Sequence, residues 1–224
     1  MSAYDILPSL SADHIMTTNY SYCIEAAFSS QKNYMSSKTR SKDRFNLNQQ
    51  QKREVNYRMH TGYISKNRDG TPVGIWHIHG ECTVPLGIVL GHDRYGRLLS
   101  RIESICDSQT YTYKSNSAKQ KRFTSWPELF LYGDVYIIGF GFSLCEFDLW
   151  WLLRRKQREH YSDGKVYFYD NGNPEVYSTR NMLLKAHGVI INPGVKQEEQ
   201  FDVFYQKALS DIITKIKKNK CGIQ

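Results

Sequence analysis

The sequence predicts an α/β fold: a doubly wound, mostly parallel sheet with helices on both faces. Three observations carry that expectation. Short apolar segments rich in Val, Ile and Tyr alternate with segments of helical period. Those short segments lack the polar alternation of a half-exposed sheet, so they read as strands buried on both faces. Each ends in a polar or glycine-rich group, "TTNY", "HIHG", "GFGFS" and "YDNGN", and in such sheets ligands bind beyond the carboxyl ends of the strands.

Taken in order, His14–Thr18 is the first strand, and Ile24, Ala27 and Phe28 mark a following helix. Residues 31–60 are polar, basic and weakly periodic, and read as an insertion. Thr71–Gly80 is a buried strand that stops at Gly80. Leu98, Ile102 and Ile105 share one helical face, and the polar stretch Asp107–Arg122 reads as an exposed loop. The strand "VYIIGF" then meets the turn at Gly139 and Gly141, followed by a helix over Glu146–Glu159. Its middle is apolar all round, so it is expected to pack on several sides and to emerge into water at Arg154. Lys165–Asp170 is a strand. "VYSTRNMLLKAHG" is a helix closed by Gly188, and "VIIN" is a strand stopped at Pro193. A closing helix over about 198–218 carries Phe204, Ala208, Ile212 and Ile216 on its inner stripe. The whole chain, 1–224, is expected to form one domain.

Composition limits the function classes. A 40% hydrophobic, 13% aromatic chain supports a filled core and argues against wholesale disorder. No apolar run approaches the roughly 20 residues of a membrane span, and no signal peptide is evident, so the expectation is a cytoplasmic protein with no membrane partner. The five cysteines form no C-x-x-C pair and are expected as free thiols. His77, His79 and Cys82 have a spacing that fits no common zinc site, so no zinc is expected. The net charge of +8 is concentrated in residues 31–60, in Lys114–Arg122 and in Lys215–Lys220. The first two runs, with Tyr34, Phe45 and Tyr57 as stacking rings, suit nucleic acid. The third suits the negative pole of a helix.

The strand ends supply the candidate residues. Asn19 or Ser21 is placed to cap the helix after the first strand. His79 precedes a glycine at a strand end, while His77, two residues deeper and on the same side, reads as a core residue. "GFGFS" lacks the third glycine of a dinucleotide fingerprint. By itself it is either a tight strand-to-helix turn or a phosphate cradle.

In this order the motifs resemble the sirtuin-like NAD-consuming family, closest to its bacterial antiphage branch: "TTNY" with Asn19, "IHG" with His79, "GFGFS" from Gly139 to Ser143, and "YDNGN" with Asp170 and Asn171. The resemblance covers about Ile15 to Ile191 and implies a Rossmann-like fold with NAD as substrate. It implies that Asn19, with Thr18 and Ser21 beside it, meets the nicotinamide ribose or a water, and that His79 is the general base. Gly139, Gly141 and Ser143 would meet the adenosine half, and Asp170 or Asn171 the adenosine ribose. The implied activity is hydrolysis of NAD to nicotinamide and ADP-ribose, in antiphage defence. Three departures stand beside it. Ser21 occupies a position where the family often has Asp, and the zinc module of the protein deacylases is absent. No "GAG"-type first turn precedes "TTNY", so the domain is expected to be N-terminally incomplete, with another chain or domain supplying that wall. The alternatives are a catalytically degenerate binding module and a basic nucleic-acid-binding protein.

Overall fold

The structure is a computed structural model that describes residues 3–29, 44–46, 57–115, 123–160, 162–173, 176, 178–192 and 200–220. The fold is α/β and Rossmann-like, with parallel-rich sheets and helices on both sides. Strands β1 (His14–Thr17), β4 (Pro72–His77), β3 (Thr61–Lys66) and β2 (Arg44–Asn46) form one sheet in that spatial order. Strands β5 (Val135–Ile138), β6 (Val166–Tyr169) and β7 (Val189–Ile191) form the other. All pairings in the second sheet are parallel, and β1 runs parallel to β4 with Thr17 opposite His77.

The first sheet adds what the sequence reading lacked, an antiparallel edge of β3 and β2. Its cause is local. Asn67 N–H donates to the Thr71 carbonyl at 2.9 Å, and Gly70, at φ +82°, closes the turn on Asn67. A connection this tight joins only antiparallel strands.

Seven α-helices lie among the described residues: α1 (Ala3–Ile6), α2 (Cys23–Phe28), α3 (His92–Ser115), α4 (Trp126–Tyr132), α5 (Phe147–Glu159), α6 (Ser178–Ala186) and α7 (Phe201–Lys220). Helix α3 runs on to Ser115 through residues expected as loop. No Gly or Pro follows Gly96 in that stretch to break it. None of these helices is long and apolar enough to cross a membrane.

Side-chain alternation on β5 explains the layering. Val135 and Ile137 pack into the main core with Trp76, Leu98, Trp126 and Leu152, under α3, α4 and α5. Tyr136 and Ile138 point the other way and meet Phe204, Ala208 and Ile212 of α7. Leu7 and Leu10, just before β1, sit in the same layer as α7.

Helix α5 corrects one expectation. Arg154 is exposed, but Arg155 and Lys156 are buried. Lys156 Nζ donates to the carbonyls of Phe130, Leu131 and Gly133 at 3.1, 2.8 and 2.7 Å. It thereby caps the C-terminal end of α4, where unpaired carbonyls and the helix dipole attract a cation. Burial lowers its pKa to about 8.

Candidate active site

The parallel pairing of β1 and β4 brings the ends of both strands to one edge. Ile78 N–H donates to the Thr17 carbonyl at 3.0 Å, so the chain is still paired one residue past β4. Gly80, at φ +98°, then reverses direction, and any Cβ there would collide with the carbonyl of Gly87. The returning loop binds back through Val89 N–H to the His79 carbonyl at 2.8 Å. His79 is thus enclosed, at 2% exposure.

Its ring is held by a partner 69 residues away. His79 Nε2 lies 2.9 Å from Oδ2 of Asp148, which sits in the first turn of α5 and is fully buried. The helix N-terminus favours a carboxylate there. The second oxygen, Oδ1, is buried without a hydrogen-bond partner among the described residues. Tyr95 meets the imidazole edge-on at 5.3 Å between centroids. Burial and the carboxylates of Glu146 and Asp148 push the Tyr95 hydroxyl well above its ordinary range. Burial also raises Glu146, against the opposing pull of the Ser143 N–H and of His79. A neutral or cationic imidazole among two carboxylates is an arrangement for accepting and returning a proton.

Asn19 lies two residues beyond β1 and is exposed. Its N–H donates to Thr17 Oγ1 at 3.1 Å, and its carbonyl accepts from His77 Nδ1 at 2.9 Å. Thr18 is half-buried and Ser21 exposed, with Ser21 Oγ contacting Cys23 Sγ at 3.4 Å. Neither Asn19 nor Ser21 caps α2. The cap position belongs to Tyr22, which makes no side-chain cap bond; its hydroxyl bonds Glu81 and Thr83. His77 is a core residue as expected, at 4% exposure, with Nε2 2.6 Å from Glu25 Oε1.

The other strand ends form an exposed turn. Gly139 has φ +67°, with the Tyr205 hydroxyl 3.1 Å from where a Cβ would stand. Phe142, at φ +51°, turns inward against Phe140, Trp150 and Phe168, leaving Gly141 and Ser143 outside. Ser143 N–H donates to Glu146 Oε2 at 2.8 Å, and Ser143 Oγ accepts from Cys145 N–H at 3.3 Å. Asp170 is half-buried. Its Oδ1 accepts from Gly172 N–H at 3.0 Å, and its Oδ2 is paired with Arg180. Asn171 follows it at the surface of the same turn, half-buried. Arg180 also donates to the Gly141 carbonyl at 3.1 Å, so this one side chain from α6 joins the "GFGFS" turn to the "YDNGN" end.

Asp148, Glu25 and Arg180 escaped the sequence reading. Asp148 had a signal, an acid inside an otherwise apolar helical stretch just after a glycine turn. Arg180 had none, since it is one of a run of polar residues in the first turn of α6.

The stacking candidates fare differently. Phe45 packs edge-on against Trp76 at 5.0 Å, and Tyr57 packs against the main core. Tyr34 and most of the basic stretches 31–60 and 114–122 lie outside the described residues. Lys217, Lys218 and Lys220 stand in the last turn of α7, in keeping with the helix-end reading of the tail, and Lys220 binds the Ser11 carbonyl and Asp13 at 2.7 and 3.0 Å. Among the described residues, no group of three or more His, Cys, Asp or Glu side chains is placed to hold a metal ion.

No curated protein and no solved structure matches the chain. The family model for the SIR2-like domain matches residues 13–160, from the threshold of β1 through the end of α5, which is more than half of the 224 residues. It takes in Asn19, His79, the "GFGFS" turn and Asp148, and stops short of Asp170 and Arg180. The chain belongs to the SIR2-like domain family, whose Rossmann-like fold generally serves NAD.

Proposed function

We propose that the chain binds NAD across the carboxyl ends of β1, β4, β5 and β6 and hydrolyses it to nicotinamide and ADP-ribose. The observation that carries this reading is the His79–Asp148 pair, 2.9 Å apart and buried, just past the end of β4, the strand that pairs in parallel with the one Asn19 follows. With Nε2 turned to Asp148, His79 Nδ1 makes no hydrogen bond among the described residues and is the atom assigned to take the proton. In the reaction the bond from the ribose carbon to the pyridinium nitrogen breaks, and its electron pair leaves with nicotinamide. Water oxygen bonds to that carbon, and its proton passes to His79. The carboxylates of Asp148 and Glu146 supply negative potential for the oxocarbenium-like ribose, and the Asn19 amide orients the ribose or the water. On the adenosine side we assign Gly139, Gly141 and Ser143 to the base and Asp170 and Asn171 to the ribose hydroxyls. A role in antiphage defence belongs to the same reading.

A second reading, NAD binding without turnover, is favoured by the 2% exposure of His79 and by the engagement of Ser143 N–H and Asp170 within the protein. One experiment separates the two: nicotinamide release and NAD binding measured on the same preparation, with His79→Ala as control. Release that depends on His79 supports hydrolysis; binding with no release supports the second reading. Neither binding nor release would overturn both.

A further inference from the structure

His77 is a histidine the reaction does not use, yet among the described residues its ring has two hydrogen-bond partners where that of His79 has one. It stands opposite Thr17 in the β1–β4 register, two residues before Asn19. Nδ1 is 2.9 Å from the Asn19 carbonyl oxygen. A carbonyl has no hydrogen to give, so Nδ1 carries one and donates it. Nε2 is 2.6 Å from Oε1 of Glu25, in the first turn of α2, at 1% exposure. One further proton lies between Nε2 and Oε1. Whether it rests on nitrogen or oxygen, the hydrogen on Nδ1 is compelled.

Without Glu25 the Asn19 carbonyl is the one partner among the described residues that still favours the hydrogen on Nδ1, and the other tautomer, which cannot hold Asn19, becomes more accessible. The ionisable groups around the ring are Glu25 from α2, Tyr22 at its start, Tyr63 from β3 and Glu81 from the loop after β4. Glu81 is itself held by Arg44, Arg58, Tyr22 and Tyr63. Burial works against a charged His77, but Glu25 outweighs it and raises the group above its ordinary value.

Resting on the NAD reading above, we propose that Glu25 and His77 are a positioning dyad: Glu25 sets the His77 tautomer, and His77 holds the Asn19 carbonyl so that the Asn19 side chain faces the ribose. A packing role alone would need neither a tautomer nor a bond to that carbonyl.

The test uses the full chain with Glu25→Gln, Glu25→Ala, His77→Phe, Asn19→Ala and the double variant His77→Phe/Asn19→Ala. The side-chain amide that Glu25→Gln introduces can donate to Nε2 and preserve the hydrogen on Nδ1. Imidazole 15N shifts are expected to show Nδ1 protonated in the parent and in Glu25→Gln. In Glu25→Ala a mixture of tautomers is expected, together with displaced Asn19 backbone and side-chain amide signals. In the nicotinamide-release assay, His77→Phe should lower kcat about 10- to 100-fold with KM little changed, and should cost nothing further in the Asn19→Ala background. Glu25→Gln should retain most of the activity that Glu25→Ala loses. An Nδ1 without hydrogen in the parent, undisturbed Asn19 signals in Glu25→Ala, or equal losses from His77→Phe in both backgrounds would each overturn the dyad. If the parent releases no nicotinamide, the hydrolysis reading falls, and the dyad stands or falls on the 15N and Asn19 signals alone.

Discussion

At the ends of β1 and β4 two histidines are buried and paired with carboxylates; at the end of β5 two glycines and a serine lie on a turn open to solvent. The first group holds His79 with Asp148 and His77 with Glu25, each pair almost wholly withdrawn from water. The second presents Gly139, Gly141 and Ser143 on an exposed turn, tied to Asp170 through Arg180. Ionisable pairs are costly to bury and keep their value only where geometry is maintained. Exposed glycines, here Gly139 at left-handed φ and Gly141 with open space where a Cβ would stand, allow close approach of a ligand to backbone. On the function proposed above, the first end carries the proton chemistry and the second holds the molecule in place. The SIR2-like match spans the first end and the "GFGFS" turn of the second, and leaves out Asp170 and Arg180.

The comparison is tested most strongly by His79→Ala. Nicotinamide release is expected to fall by about 10²–10⁴-fold, while the dissociation constant for NAD, measured by calorimetry, changes only a few-fold. A parallel loss of binding would erase the distinction between the two ends. Asp148→Asn comes next, with kcat expected to drop about 10- to 100-fold and KM to hold, because the amide offers His79 a different hydrogen-bond pattern. Full activity in Asp148→Asn would reduce that carboxylate to a packing element.

At the other end, Arg180→Met frees the "GFGFS" turn from Asp170. The expected result is a KM for NAD raised about tenfold at nearly constant kcat, the signature of lost uniform binding. A fall in kcat instead would move Arg180 to the chemical side of the comparison.

Lys156 is remote from both ends and has the smallest expected effect on activity. In the fold its pKa is lowered to about 8, while in the unfolded chain it takes the ordinary value of 10.5. Between these the unfolded state binds more protons, so this group makes stability rise with pH across that window. Urea unfolding at pH 8 and pH 10 should show Lys156→Met with a smaller rise than the parent, at unchanged nicotinamide release at pH 7. An equal rise in both proteins would remove Lys156 as its source.

Local pattern determined much of this protein. Strand ends at "TTNY", "HIHG", "GFGFS" and "YDNGN", the helix at Phe147–Glu159 and the inner stripe of α7 follow from apolar periodicity and glycine turns, which act over a few residues. Strand β3 did not announce itself. "TGYISK" buries only Gly62 and Tyr63 and leaves most of its length near solvent, so its apolar signal is weak. The tertiary structure alone decided the partners. Asp148 reaches His79 across 69 residues, Glu25 reaches His77 across 52, and Arg180 reaches Gly141 across 39. Such pairs form because parallel strands and their crossover helices return distant segments to one edge, and no neighbour in the chain records which charge will be waiting there. The sequence by itself placed an asparagine, a histidine and a glycine turn at strand ends; folding chose the carboxylates and the guanidinium that hold them.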